Sequence, residues 1–402
     1  MMPINLAVQN FSLTSLSGEV QVVKFVNALL EVAVKERASD VHIEPLEKIT
    51  RVRLRIDGFL CTAVEVPRNV HNAIVSRIKI ISGMDIAEKR LPQDGRVQLE
   101  VLERKVDLRI STLPVINGEK VVIRILDKSQ TLLELENLDF TKGNLEIYKR
   151  LINLPHGIIL LTGPTGSGKS TTLYATLQKL NSVTKNIITI EDPIERTIDG
   201  INQIAVNTKA GLTFATGLRS IVRQDPNIIM VGEIRDAETA RIAVQAALTG
   251  HLVFSTLHTN SAVGAVTRLL DIGIEPFLLA AALRCVVAQR LVRRVCIDCQ
   301  KQYEASEMEL TALGCDTCES FKLNKGRGCE NCNHIGYKGR IAVQEVLEIT
   351  PVLQKAIIQG AEENMLLKLA SEVHFTSLAD DCREKVLTGK TSVEELMRIA
   401  YC

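Results

Sequence analysis

The chain has 402 residues, 46 % of them apolar and 24 % charged, with 48 lysines and arginines against 47 aspartates and glutamates. That length fits two or three domains with a sizeable core, and the apolar fraction excludes wholesale disorder. A net charge of +1, 3 % aromatic residues and no tryptophan leave no strong global field for polyanions and few stacking platforms, so no nucleic-acid partner is expected.

The start, MMPINLAVQNFSLTSL, lacks a basic stretch followed by an apolar run and does not read as a secretory signal. No stretch of about 20 residues is predominantly apolar. The uncharged region 243–266 is broken by Gln245, Thr249, His251, Thr259 and Asn260. A cytoplasmic location follows, with any membrane contact peripheral and made through a partner.

In chain order, Glu19 to Arg37 predicts a helix, because Val22, Val26, Leu29, Leu30 and Ala33 recur at helical spacing. Arg51–Ile56 and Phe59–Val66 flank Asp57-Gly58, a hairpin signal. Val70–Ile81 reads as a second helix, and Val97–Leu102, Val106–Ile110 and Val121–Leu126 as strands. This first region is an α+β module. From about Leu135, short apolar runs (Ile158–Leu161, Ile187–Ile190, Ile228–Val231, Leu252–Phe254) alternate with helical patterns. The alternation predicts a mostly parallel sheet with helices on both faces. The tail from about Glu345 reads as small helices.

Gly163-Pro164-Thr165-Gly166-Ser167-Gly168-Lys169-Ser170 matches G-x-x-x-x-G-K-[ST] between an apolar run and a helical run, Lys169–Leu180. Glycines let backbone N–H groups turn inward around phosphates, and the helix start adds positive potential. Lys169 would reach the β- and γ-phosphates of ATP, and Ser170 would hold Mg²⁺. Thr171 follows in the same turn. Two runs end in carboxylates, Glu191-Asp192 and Glu233. Strand carboxyl ends are where doubly wound sheets place ligands, and a carboxylate there can hold Mg²⁺ or align water. His251 and His258 bracket another run. They fit either hydrogen-bonded structural histidines or contacts to the γ-phosphate or a neighbouring subunit.

Six of the ten cysteines lie in three CxxC pairs, Cys296/Cys299, Cys315/Cys318 and Cys329/Cys332. Clustered pairs in a long chain of this kind read as a metal site rather than a disulfide scaffold. Four thiolates suit tetrahedral Zn²⁺ and leave no open position, so the metal is expected to be structural. The spacing fits both the outer pairs and the first and middle pairs. Gly326, Gly328 and Gly336 favour the last pair, because tight knuckles need a permissive backbone.

Taken together these segments resemble the assembly ATPases of bacterial type II secretion and type IV pilus systems, over nearly the whole chain. Ala38-Ser-Asp-Val-His-Ile-Glu-Pro45, Arg90-Leu-Pro-Gln-Asp-Gly-Arg96 and Leu108-Arg-Ile-Ser-Thr-Leu-Pro114 are similar to the family's N-terminal signatures. Glu191-Asp-Pro-Ile-Glu195 is similar to its acidic box, Val231-Gly-Glu-Ile-Arg-Asp236 to its Walker B region, and Gly250–Asn260 to its histidine box. Cys296, Cys299, Cys329 and Cys332 with Gly336-Tyr-Lys-Gly-Arg340 resemble the metal subdomain of the secretion and pilus-extension branch.

The resemblance implies an α/β chain: a RecA-like P-loop ATPase domain (136–290), an N-terminal α+β, PAS-like module (1–135), a four-cysteine zinc subdomain (291–342) and a small helical C-terminal subdomain (343–402). It implies a homo-hexameric motor that works on an inner-membrane platform protein from the cytoplasmic face. Glu191 would activate water, Glu233 would serve the Mg²⁺ side, and Arg96 and Arg109 would approach the phosphates, with Asp192, Arg235, His251 and His258 nearby. Many members carry a further N-terminal docking domain, and the resemblance here starts almost at the module that follows it, which leaves the docking mode open. Asp380-Asp-Cys382 replaces the family's usual Asp-Gly turn. The competing reading is a nucleic-acid-dependent P-loop ATPase carrying a zinc ribbon.

Overall fold

Strand and helix follow the apolar periodicity closely in a computed structural model that describes residues 19–127, 133–314, 321–372 and 375–400. The chain divides into two units, Met1–Thr131 and Leu132–Cys402. Among the described residues, no helix is long and apolar enough to cross a membrane.

The first unit runs α1 (Glu19–Lys35), β1 (Asp40–Pro45), β2 (Ile49–Ile56), β3 (Phe59–Pro67), α2 (His71–Ser82), β4 (Gln93–Val101), β5 (Arg104–Val115) and β6 (Gly118–Asp127). The strands form one antiparallel sheet in the order β3-β2-β1-β6-β5-β4. Period-two alternation makes it one-sided: Val52, Leu54 and Ile56 of β2 enter the core, whereas Arg51, Arg53 and Arg55 take the other face. Phe25, Val26, Leu29 and Ala33 of α1 and Ile74 and Ile78 of α2 bury against the apolar face. Asp57 and Gly58 both have positive φ, 48° and 89°, as the two-residue turn closing Ile56 onto Phe59 requires.

The second unit contains α3 (Lys142–Leu151), β7 (Gly157–Thr162), α4 (Lys169–Leu180), β8 (Ile187–Glu191), β9 (Asn202–Ala205), α5 (Phe214–Ile221), β10 (Ile228–Val231), α6 (Ala237–Leu248), β11 (Leu252–Leu257), α7 (Ala262–Asp271) and α8 (Pro276–Ala282). It continues through β12 (Leu283–Val295), β13 (Gln300–Glu304), α9 (Glu307–Leu313), β14 (Lys322–Gly326), β15 (Tyr337–Glu348), α10 (Pro351–Ile358), α11 (Glu363–Ser371), α12 (Leu378–Leu387) and α13 (Val393–Ala400). A seven-stranded sheet has the order β15-β12-β7-β11-β10-β8-β9. Only the β12–β15 pair is antiparallel.

Both faces of this sheet are covered, which is why its strands read as unbroken apolar runs. Ile158 and Leu160 of β7 pack with α5 to α8, whereas Ile159 and Leu161 pack with Tyr148 of α3 and Leu173 and Leu177 of α4. Two long strands, β12 and β15, do not stand out in the sequence. Arg284, Gln289, Arg290, Arg293 and Arg294 interrupt the apolar pattern of β12. β12 runs through position 290 and β15 through position 342, so the sheet is continuous at both, and β13 pairs with β14 in a separate ribbon.

Candidate active site and cysteine cluster

The loop after β7 turns on three glycines with positive φ, Gly163 at 143°, Gly166 at 80° and Gly168 at 88°. Side chains at such angles would be strained. The loop feeds α4, whose first residue is Lys169. Lys169 is 8 % exposed, and its Nζ donates to the carbonyls of Gly163 at 2.6 Å and Pro164 at 3.1 Å. Burial lowers the pKa of its ammonium, with Arg290 adding to the effect and Glu233 and Glu195 opposing it. Pro164, Thr165, Gly166 and Thr171 are exposed, and Ser170 is half-buried at the start of α4. Ser167 is buried, and its hydroxyl has no hydrogen-bond partner among the described residues. An open pocket of about 220 Å³ lies between Pro164–Ser167, Arg290–Val292 and α13.

Neighbouring strands bring their carboxyl ends to the same edge. Just after β10, Glu233 accepts from Arg235 Nη2 at 2.5 Å and lies 3.7 Å from His258 Nε2. His258 follows β11, and Thr162 Oγ1 and Thr259 Oγ1, 2.7 Å apart, tie that strand end to the end of β7. Burial lowers the His258 pKa, and Lys169 and Arg235 lower it further against the pull of Glu233, which favours a neutral imidazole at neutral pH. Asp192 is exposed and contributes to the field that raises the Arg235 pKa. Lys169, Glu233, Arg235 and His258 therefore form one electrostatic group.

Glu191 closes β8 at 4 % exposure. Its carboxylate accepts from the Tyr174 hydroxyl, from Thr189 Oγ1 at 2.6 Å and from Gln203 Nε2 at 3.0 Å. Alternation puts Thr189 and Glu191 on one face, the face that α4 covers with Tyr174. Three neutral donors hold this carboxylate in place.

His251 lies at the far end of β11. The resemblance groups it with His258, but β11 separates them. At about 3.3 Å per residue an extended strand puts them about 20 Å apart. His251 sits at the amino end of the strand, where Nδ1 lies 2.8 Å from the Ala246 carbonyl oxygen and 3.3 Å from Thr249 Oγ1. It is a hydrogen-bonded structural histidine, remote from the loop.

Arg96 and Arg109 belong to the first unit. Arg96 on β4 pairs in register with Arg109 on β5, and Arg109 with Arg124 on β6. Like charges directly opposite one another destabilise a sheet, and carboxylates counter two of the three here. Asp107 accepts two Arg96 hydrogen bonds from Nε, at 2.9 and 3.1 Å, and Asp40 accepts from Arg124 at 3.1 Å. Sequence reading missed Arg124, because only the strand register aligns it with the others.

The cysteines give a closed cluster. Sulfur atoms of Cys296, Cys299, Cys329 and Cys332 all lie within 4.8 Å of one another. Pairwise sulfur separations are 3.9 Å for Cys296–Cys329, 3.8 Å for Cys299–Cys332 and 3.7 Å for Cys329–Cys332. A tetrahedron of thiolates about 2.3 Å from a central ion has edges of about 3.8 Å, so the set fits. Backbone N–H groups of Gly328, Cys329 and Gly336 point at sulfur, at 3.3, 3.2 and 3.3 Å. Burial works against the Cys332 thiolate, yet the Cys329 and Gly336 donors hold its pKa below the ordinary value. Cys315 and Cys318 lie outside the described residues.

A family model described as type II/IV secretion system protein matches residues 15–398. Type II secretion system ATPase E of Vibrio cholerae is 52 % identical over 393 residues, which cover 97 % of this chain and 78 % of that relative. Type II secretion system protein E of Aeromonas hydrophila is 50 % identical over 391 residues, with the same shares covered. The solved structure of the Legionella pneumophila ATPase DotB has a TM-score of 0.68 at 22 % identity, covering 94 % of this chain and 95 % of that one. This last likeness speaks for the fold alone. With a phosphate loop, strand-end carboxylates and a family match over almost its whole length, the chain belongs to the type II/IV secretion system protein family and is a P-loop ATPase within it.

Proposed function

We propose that the chain is the ATP-hydrolysing motor of a type II secretion machine. In this reading it works as a homo-hexameric ring at the cytoplasmic face of the inner membrane and acts on a platform protein there. The observation that carries the reading is the gathering of Lys169, Glu233, Arg235 and His258 around the loop 163–170. The names of the relatives supply the machine, and the resemblance supplies the ring and its partner.

ATP lies with its phosphates in the loop, where the backbone N–H groups and the start of α4 meet negative charge. Lys169 moves from the Gly163 and Pro164 carbonyls to the β- and γ-phosphate oxygens. Ser170 and Glu233 would hold Mg²⁺, which neutralises phosphate charge when bound. Glu191, oriented by Tyr174, Thr189 and Gln203, aligns the attacking water and takes its proton as the oxygen adds to the γ-phosphorus and ADP leaves. Neutral His258 and Arg235 answer to the charge on the γ-phosphate. Arg96 and Arg109 would stabilise transition-state charge on the γ-phosphate. Domain closure that follows nucleotide state then moves the platform protein. The four cysteines would hold Zn²⁺ as a structural brace, with no open position for chemistry.

Lys169→Ala tests the reading. Phosphate release from ATP should fall by about a hundredfold or more, as for loss of a group stabilising transition-state charge. Undiminished turnover in that variant places the chemistry elsewhere.

A further inference from the structure

A buried polar line runs from the phosphate loop to the carboxyl-terminal helices. Gln289, in the middle of β12, is 2 % exposed. Its Nε2 donates to the Ser167 carbonyl at 2.8 Å, and its Oε1 accepts from Thr172 Oγ1 in α4 at 2.8 Å. Gln344, its partner in register on β15, donates to the same Oε1 at 3.3 Å. The Gln344 backbone N–H donates to Asp381 Oδ2 at 2.6 Å, and Lys385 Nζ donates to that oxygen at 2.5 Å. Asp381 and Lys385 are both buried on α12.

Gln289 also limits the backbone of the loop. A Cβ on Gly163 would come within 2.3 Å of the Gln289 carbonyl oxygen, and one on Gly168 within 2.7 Å of its Nε2. One residue of a distant strand therefore touches both ends of the loop. Its chemistry is specific, because a carbonyl and a hydroxyl donor must be met by one side chain, and a primary amide offers both a donor and an acceptor. In a planar trans peptide the C=O and N–H point in opposite directions. Holding the Ser167 carbonyl toward β12 aims the Gly168 N–H the other way, into the cup where phosphate would lie.

We propose that Gln289 is a positioning residue for the phosphate loop: it locks the Ser167–Gly168 peptide so that the loop presents its N–H groups to phosphate before nucleotide arrives. The inference rests on the reading of residues 163–170 as the ATP site. The line through Gln344 to Asp381 and Lys385 anchors that lock in the carboxyl-terminal helices.

The test uses the full chain and Gln289→Glu, which keeps size and the acceptor for Thr172 but replaces the donor to Ser167 with a repelling oxygen. KM for ATP and Kd for ADP should rise together by about tenfold, the scale of one well-placed hydrogen bond, while bound ADP per folded chain at saturation is unchanged. Gln289→Met, which keeps shape without charge, should give the same rise and decides the matter if the glutamate variant fails to fold. A merely structural role lowers the folded fraction and leaves KM and Kd of the folded molecules at wild-type values, and that result overturns the proposal. Lys169→Ala is measured alongside: wild-type turnover there defeats the ATP-site reading itself, whereas a Lys169 effect without a Gln289 effect defeats only the positioning role.

Discussion

The cysteine cluster and the phosphate loop are both announced by short motifs, but they differ in how much the motif supplies. At the cluster, two CxxC knuckles bring all four sulfurs, and backbone groups beside them supply the N–H donors. At the loop, residues 163–170 supply the cradle and its lysine only. Glu191, Glu233, His258 and Gln289 come from the ends or middles of four other strands. A site closed by two local knuckles depends little on the register of the large sheet. A site assembled across a sheet depends on strand register and on whatever holds the strands.

That contrast predicts a graded set of effects. The largest is on stability. Asp381→Ala leaves Lys385 buried without its partner and should cost about 3–5 kcal/mol, seen as a lower denaturation midpoint, and Asp381→Ala with Lys385→Met should recover most of it. Full stability in the single variant would detach the α12 end of the line from the loop. Next, Glu191→Gln should lower kcat by about a hundredfold with nucleotide affinity nearly unchanged, since a general base acts on the attacking water. An equal loss in affinity would make Glu191 a binding residue and sharpen the case for Glu233 as the base. Arg109→Ala should lower kcat/KM by about tenfold, and normal kinetics would confine the arginine row to the first unit's own sheet. The smallest effect is expected at the cluster. Cys329→Ser with Cys332→Ser should abolish about one bound zinc per chain and loosen the segment around it, yet move KM for ATP by no more than about twofold. A large KM change would mean the two regions are coupled after all.

Legibility in the sequence follows the same division. The phosphate loop, the Asp57-Gly58 turn and the buried strands of the parallel sheet were readable because each is written in consecutive residues. Glu191 and Glu233 were readable as strand-end carboxylates. What failed was anything that depends on register or strand direction. His251 and His258 bracket one apolar run in the sequence, but only strand direction tells which of them shares an edge with the loop. Arg124 joins Arg96 and Arg109 only through the pairing of β4, β5 and β6. Gln289 sits in an arginine-interrupted strand and belongs to no motif, so nothing local marks it. Tyr174 and Gln203, which hold Glu191, come from a helix and an edge strand and carry no local pattern at all.

In the proposed motor, the phosphate loop is one part of a catalytic site that other elements and assembly complete. Its most direct test is ATP turnover per chain across a protein concentration series, with sedimentation of the same samples. Turnover should stay near zero while the chain sediments as a monomer and rise to a plateau as rings form. Equal turnover per chain in monomeric and assembled samples would contradict it.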